Sequence, residues 1–228
     1  MITRTVPILA ALAAVLVLAQ ASSALARDCP VVPVPDFSAS IDWLEPELIE
    51  NVASDDLPAS GNGRRGFPGA DRRKLGSTES SLLVRTSLIV SELDADRGCF
   101  ALSELDVQIV AGPVKVYVAS ELDSDSCPYR VTLAHEDRHV EVFRDAADAL
   151  LDQLQGDMAA PSLRQSIPGK DIKVAVEIFS QAINVVVGDA RRKVDAQAKR
   201  RNAALDTRSS YRAEQDKCPI RDWRIPFD

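Results

Sequence analysis

Apolar positions along the chain change their period part-way through. Ser81–Leu93 (SLLVRTSLIVSEL), Cys99–Ala111 (CFALSELDVQIVA) and Val114–Leu122 (VKVYVASEL) are dense in Val, Ile and Leu. Asp94–Gly98 and Gly112-Pro113 separate them with good turn chemistry, so at least three antiparallel strands are expected. From Tyr129 to Gln155 the spacing becomes helical, through Leu133, Val140, Phe143, Ala147, Leu150, Leu151 and Leu154. Gly156–Gly169, with Pro161 and Pro168, reads as a loop. The helical period then resumes over Asp171–Leu205 through Ile172, Val176, Phe179, Ile183, Val186 and Ala190. Two long helices joined by a short loop pack antiparallel. Residues 27–80 look irregular, because prolines at 30, 33, 35, 46, 58 and 68 and the run Ser60–Gly66 interrupt any long element. Within them Asp42–Asn51 is a candidate helical piece. The expected fold class is therefore α+β: a small antiparallel sheet followed by a long antiparallel helical hairpin.

The N-terminus changes the picture of where this fold operates. Arg4 is a positive n-region, Ile8–Ala19 is an apolar run of 12 residues, and Ala24-Leu25-Ala26 is an A-x-A cleavage site. Twelve apolar residues are too few for a bilayer span of about 20. Residues 1–26 are thus expected to be a signal peptide cleaved after Ala26, exporting the protein to the periplasm or the extracellular space. Cleavage leaves 202 residues with 26 basic against 34 acidic side chains. That net acidity excludes the nucleic-acid binders that need a basic face. No later stretch is apolar enough for an integral membrane segment.

All four cysteines (Cys29, Cys99, Cys127, Cys218) follow the signal, and an oxidising compartment favours two disulfides. An all-cysteine zinc site is disfavoured, since no C-x-x-C pair exists. If the helices are antiparallel, Cys127 before the first and Cys218 after the second lie at the same end of the hairpin. This favours Cys127–Cys218, with Cys29–Cys99 pinning the N-terminal arm. The rival pairing is Cys99–Cys127 with Cys29–Cys218.

The chain has only two histidines, and residues 133–143 place both in Leu-Ala-His135-Glu136-Asp137-Arg138-His139-Val-Glu-Val-Phe. This is H-E-x-x-H on an expected helix. Residues at i and i+4 share one helical face, so both imidazoles can reach a single ion. Glu136, rotated about 100° from His135, can approach a metal-bound water instead of the metal. Chance placement of the two histidines in this pattern has a probability of roughly 0.0004 at this composition. The charged pair Asp137 and Arg138 calls for an outer, exposed side to this turn. Val114–Leu122, the last strand before the metal helix, is the candidate edge strand for aligning an extended substrate.

The segment Cys127-Pro-Tyr-Arg-Val-Thr-Leu-Ala-His-Glu-Asp-Arg-His, the strand Val116-Tyr-Val-Ala-Ser and the late stretch Leu205–Tyr211 with Cys218 resemble a family of secreted bacterial HExxH proteins. That family, long catalogued as a domain of unknown function, is regarded as zinc-dependent proteases of gluzincin-like type. The resemblance covers roughly residues 80–218. It implies a zincin-like metallopeptidase domain over residues 81–228, with His135 and His139 as zinc ligands and Glu136 as catalytic base. Many members carry Tyr-Asp-x-x-Thr-x-His near the end. The matching stretch here keeps Asp206 but has no histidine.

A catalytic zinc commonly takes three protein ligands and a water. Without a third histidine, a carboxylate must serve. A hairpin turning between Gln155 and Asp171 would bring residues near 187–191 level with the histidines, which points to Asp189. Asp195 fits a longer first helix, and Asp206 lies four to five turns beyond Asp189, favoured by the resemblance. Glu177 sits too near the turn. Elsewhere, the basic run Arg191–Arg201 reads as a solvated helix face. Glu121, Asp123 and Asp125 lack the glycine and distal glutamate of a calcium loop. Trp223, Ile225 and Phe227 are expected to cover the core. A Ser-His-Asp hydrolase would have to borrow a histidine from the pair. The expected function is an exported zinc metallopeptidase acting on a peptide or protein substrate, with Glu136 as general base. The alternative is a non-catalytic zinc-binding or cell-envelope interaction protein that retains the motif.

Overall fold

A computed structural model describes residues 29–30, 32, 34–58, 74–158, 160–169 and 171–223. The expected signal peptide, the run Ser60–Gly66, Ile225 and Phe227 lie outside the described residues. The element order is β1 (Asp36–Trp43), β2 (Glu47–Val52), β3 (Gly76–Asp94), β4 (Cys99–Ala119), α1 (Cys127–Asp157), a 3-10 turn (Pro161–Arg164), β5 (Ile167–Pro168), α2 (Ile172–Leu205), α3 (Arg208–Gln215) and a 3-10 turn (Ile220–Trp223).

The sheet corrects the expected fold class. It has five strands, and β1 and β2 both run parallel to β4, so the fold is α/β and not a small antiparallel sheet with a helical hairpin appended. Strand β4 runs through the cis Gly112-Pro113 bond as one element of 21 residues. Strand β3 pairs antiparallel along its length, from Asp94↔Cys99 to Gly76↔Val118. The opposite edge of β4 is shared in turn by β5 at Cys99–Phe100, β1 at Glu104–Ala111 and β2 at Lys115–Ala119. β1 and β2 are successive segments of one run along that edge, separated only by residues 44–46, so both share one direction relative to β4, whereas β5 meets the same edge antiparallel. Asp42–Asn51, the candidate helical piece, instead forms the end of β1, a short connection and most of β2. Its short apolar spacing fits either period, and pairing with β4 decides between them. Val114–Leu122 is also corrected: up to Ala119 it belongs to the interior strand β4, and among the described residues β3 on one side and β1, β2 and β5 on the other are the outer strands.

Both long helices pack on this sheet and share its core. Leu102, Leu105, Val107 and Ile109 of β4 meet Leu150 and Leu154 of α1 and Ala175, Phe179 and Ile183 of α2. The cysteines pair as Cys29–Cys99, tying the N-terminal segment to the start of β4, and as Cys127–Cys218, tying the start of α1 to the chain beyond α3. Trp223 is only half-buried, its indole N–H donating to the Gln215 carbonyl (3.0 Å) at the end of α3, outside the core clusters.

Candidate metal centre

Helix α1 starts where Ser126 Oγ accepts the Tyr129 N–H (3.2 Å), with a proline in its first turn. Two turns later it buries His135 and Glu136 and half-buries His139. Helix α2 ends at Asp206, whose N–H still donates to the Asn202 carbonyl (3.1 Å). Thr207 then caps α3 by accepting the Ser210 N–H (3.1 Å). This tight change of direction folds Asp206 and α3 over the two histidines.

Three donor atoms meet there. His135 Nε2 and His139 Nε2 lie 3.1 Å apart, and each is 3.2 Å from Asp206 Oδ1. Ligands about 2.0–2.1 Å from a tetrahedral ion stand about 3.3 Å from one another, so this triangle approximates one face of such a site. The other ring nitrogens are anchored: His135 Nδ1 to Glu214 Oε2 at 2.9 Å and His139 Nδ1 to Asn202 Oδ1 at 2.9 Å. An acceptor at Nδ1 keeps the proton on that nitrogen and leaves the Nε2 lone pair aimed at the shared point. His135, His139 and Asp206 could therefore hold a metal ion. Arg138 explains one of the two charges inside the motif, because its guanidinium pairs with Glu214; Asp137 faces solvent.

Glu136 sits beside the triad with only 5% of its surface exposed. Its Oε2 accepts the Thr78 hydroxyl at 2.8 Å. Gly76 makes this approach possible, since a Cβ there would lie 2.5 Å from Glu136 Oε1. Burial raises the Glu136 pKa above the ordinary carboxylate value, outweighing the opposing influence of His135, His139, Thr78 and Lys74. Desolvation pulls His139 down, but its bonds to Asp206 and Asn202 and the nearby carboxylates outweigh that and raise its pKa. Asp206 is held well below the usual carboxylate range: burial pushes it up, and the two imidazoles beside it together with the Tyr211 hydroxyl prevail. Tyr211 donates to Asp206 Oδ1 (2.8 Å) and stacks on the His135 ring at a centroid distance of 4.9 Å. Burial first, and then the Asp206 charge, raise its own pKa.

No family model, curated protein or solved structure matches this chain.

Of the three carboxylates left open above, the structure brings only Asp206 to the histidines. Asp189 pairs with Arg192, and Asp195 with Arg191. His139 faces Asn202, about a dozen residues further along α2 than a tight hairpin would give, because the first turns of α2 overhang the end of α1. Glu121 accepts from the Ser54 N–H and hydroxyl, at 3.0 and 2.7 Å, and so serves the β2 connection. The sequence reading missed Glu214, Asn202, Thr78 and Gly76. Glu214 falls between Tyr211 and Cys218, next to the late stretch that carried the resemblance but not among its residues; nothing local marks the other three.

Proposed function

We propose that the protein is an exported zinc-dependent peptidase. One observation carries the reading: two anchored imidazoles and a carboxylate present a three-atom face, and the glutamate of the same helix stands buried beside it in one cleft. Two nitrogens and one oxygen suit zinc, and the fourth position is left for water. Zinc bound there supplies Lewis acidity to a scissile carbonyl and lowers the pKa of a bound water. Glu136 takes the proton at its carboxylate and hands it to the leaving amine, a task favoured by its raised proton affinity. Thr78 holds Oε2 and thereby sets the orientation of that carboxylate. Glu214 and Asn202 keep both rings in the ligating tautomer, while Tyr211 steadies Asp206. Among the described residues β3 pairs with β4 alone, so its outer edge is available to align an extended peptide by strand addition. The two disulfides are compatible with an oxidising compartment.

The test is proteolysis of an unfolded protein such as carboxymethylated casein by the zinc-loaded protein. Glu136→Gln should lower the rate by about 10²–10⁴ while zinc stoichiometry stays at one per chain. Zinc binding without cleavage in the wild type would instead support the non-catalytic zinc-binding reading.

A further inference from the structure

His139 and Asp206 of the triad, with Glu136, line one end of a groove of about 480 Å³ bounded by β3, α1 and α2. Its three walls agree on its length. Gly76 to Leu82 on β3 spans about 20 Å at roughly 3.3 Å per residue. Glu136 to Leu150 on α1 and Arg191 to Asp206 on α2 each span about 21–22 Å at 1.5 Å per residue. An extended chain of about six residues covers the same distance.

The walls change character along the way. Around Glu136 they are polar, with Lys74, Thr78, Asn202 and Asp206. At the far end they are Leu82, Ala146, Leu150 and Val194, with Ala198 on the approach. Two alanines on facing helices leave room there that larger residues would fill. The charges at that end cancel, since Arg191 lies 3.6 Å from Asp195. Gly76, Thr78, Ser80 and Leu82 alternate along β3, so one face of an added strand would look into the groove at every second residue. Thr78 touches Glu136, and Leu82 lies four residues further on.

We propose that the groove holds an extended peptide of about six residues to one side of the cleaved bond, with a large aliphatic or aromatic side chain at the far end, three to five residues from that bond. The proposal rests on the peptidase reading above and adds a substrate class to it.

Cleavage sites in a mixed peptide library, mapped by mass spectrometry, test it. The wild-type zinc protein should enrich Leu, Ile, Phe or Met at one position three to five residues from the cut. A matched peptide pair should show roughly tenfold higher kcat/KM for Leu than for Ala there. Ala198→Trp should erase this preference with zinc content retained; if that variant does not fold, the wild-type profile and the Leu/Ala pair carry the test. Cleavage with no preference at that distance overturns the proposal and leaves the peptidase reading standing. A zinc-loaded protein that cuts no peptide overturns both.

Discussion

The two halves of α1 differ in what they bury. The first half buries Thr132, His135 and Glu136 among Pro128, Tyr129, Val140 and Val142, whereas the second half buries the apolar Ala147, Leu150 and Leu154 alone. The two ionisable groups buried in the first half are met by partners from different elements: His135 by Glu214 of α3 and Glu136 by Thr78 of β3, with half-buried His139 held by Asn202 of α2. The leucines need only apolar neighbours, and the shared core supplies them without directional demands. Polar burial is costly when a partner is missing, whereas apolar burial is lost in proportion to volume. The first half should thus fail in function after single changes in distant elements, and the second should fail in stability.

His139→Ala should separate the halves most sharply. It removes one corner of the triad, and native mass spectrometry should find no zinc at saturation, because two remaining ligands do not complete the site. Leu154→Ala is the matching change in the other half. Leu154 is fully buried, so truncation should lower unfolding free energy by about 2–5 kcal/mol in denaturant titrations while zinc stoichiometry is kept. Zinc loss in Leu154→Ala without destabilisation would break the comparison.

A smaller effect is expected one shell out. Glu214→Ala removes the carboxylate at His135 Nδ1 and leaves only Arg138 Nη2, 3.0 Å from that nitrogen, so it should weaken zinc binding by about 10–100-fold, measured by competition with a chelator. An unchanged affinity would mean that the imidazole is oriented by packing alone.

The smallest effect is that of pH. Zinc must displace the proton that the raised pKa of His139 retains, so zinc affinity should fall as pH drops through that value, by up to about tenfold per unit. Without metal the sign reverses. Protonated His139 contributes stability that is present in full below its ordinary pKa of 6.5 and is lost as pH rises through its higher folded value. Asp206 contributes above its ordinary 3.8 and loses this as pH falls through its depressed folded pKa. Glu136, whose folded pKa is raised, loses stability as pH climbs above its ordinary 4.5. Thermal melts of the metal-free protein should therefore be highest between about pH 4 and 4.5 and decline as pH rises further, an optimum that zinc moves upward.

Legibility followed the range of each interaction. The helical stretch 129–155 and the bearing of His135, Glu136 and His139 are properties of one helix, and periodicity reads them. The strand segments around residues 81–119 are likewise visible as Val- and Ile-rich runs, but the turn expected at Gly112-Pro113 is instead interior to the single strand β4. Direction is not visible. Parallel pairing of β1 and β2 depends on which edge of β4 the run from Asp36 to Val52 meets and in which direction, which no local pattern encodes. Asp206 illustrates the same limit, because its level relative to His139 depends on the overhang of α2 past α1.

What the sequence by itself determined is the pair of histidines on one helical face with a glutamate beside them, since an i, i+4 spacing needs only the helix. Tertiary structure alone decided the carboxylate that joins the histidines, the partners of each imidazole and the glycine against which Glu136 rests. Those atoms come from residues between 58 and 79 positions away, and only the packing of helices on the sheet brings them within 3.2 Å.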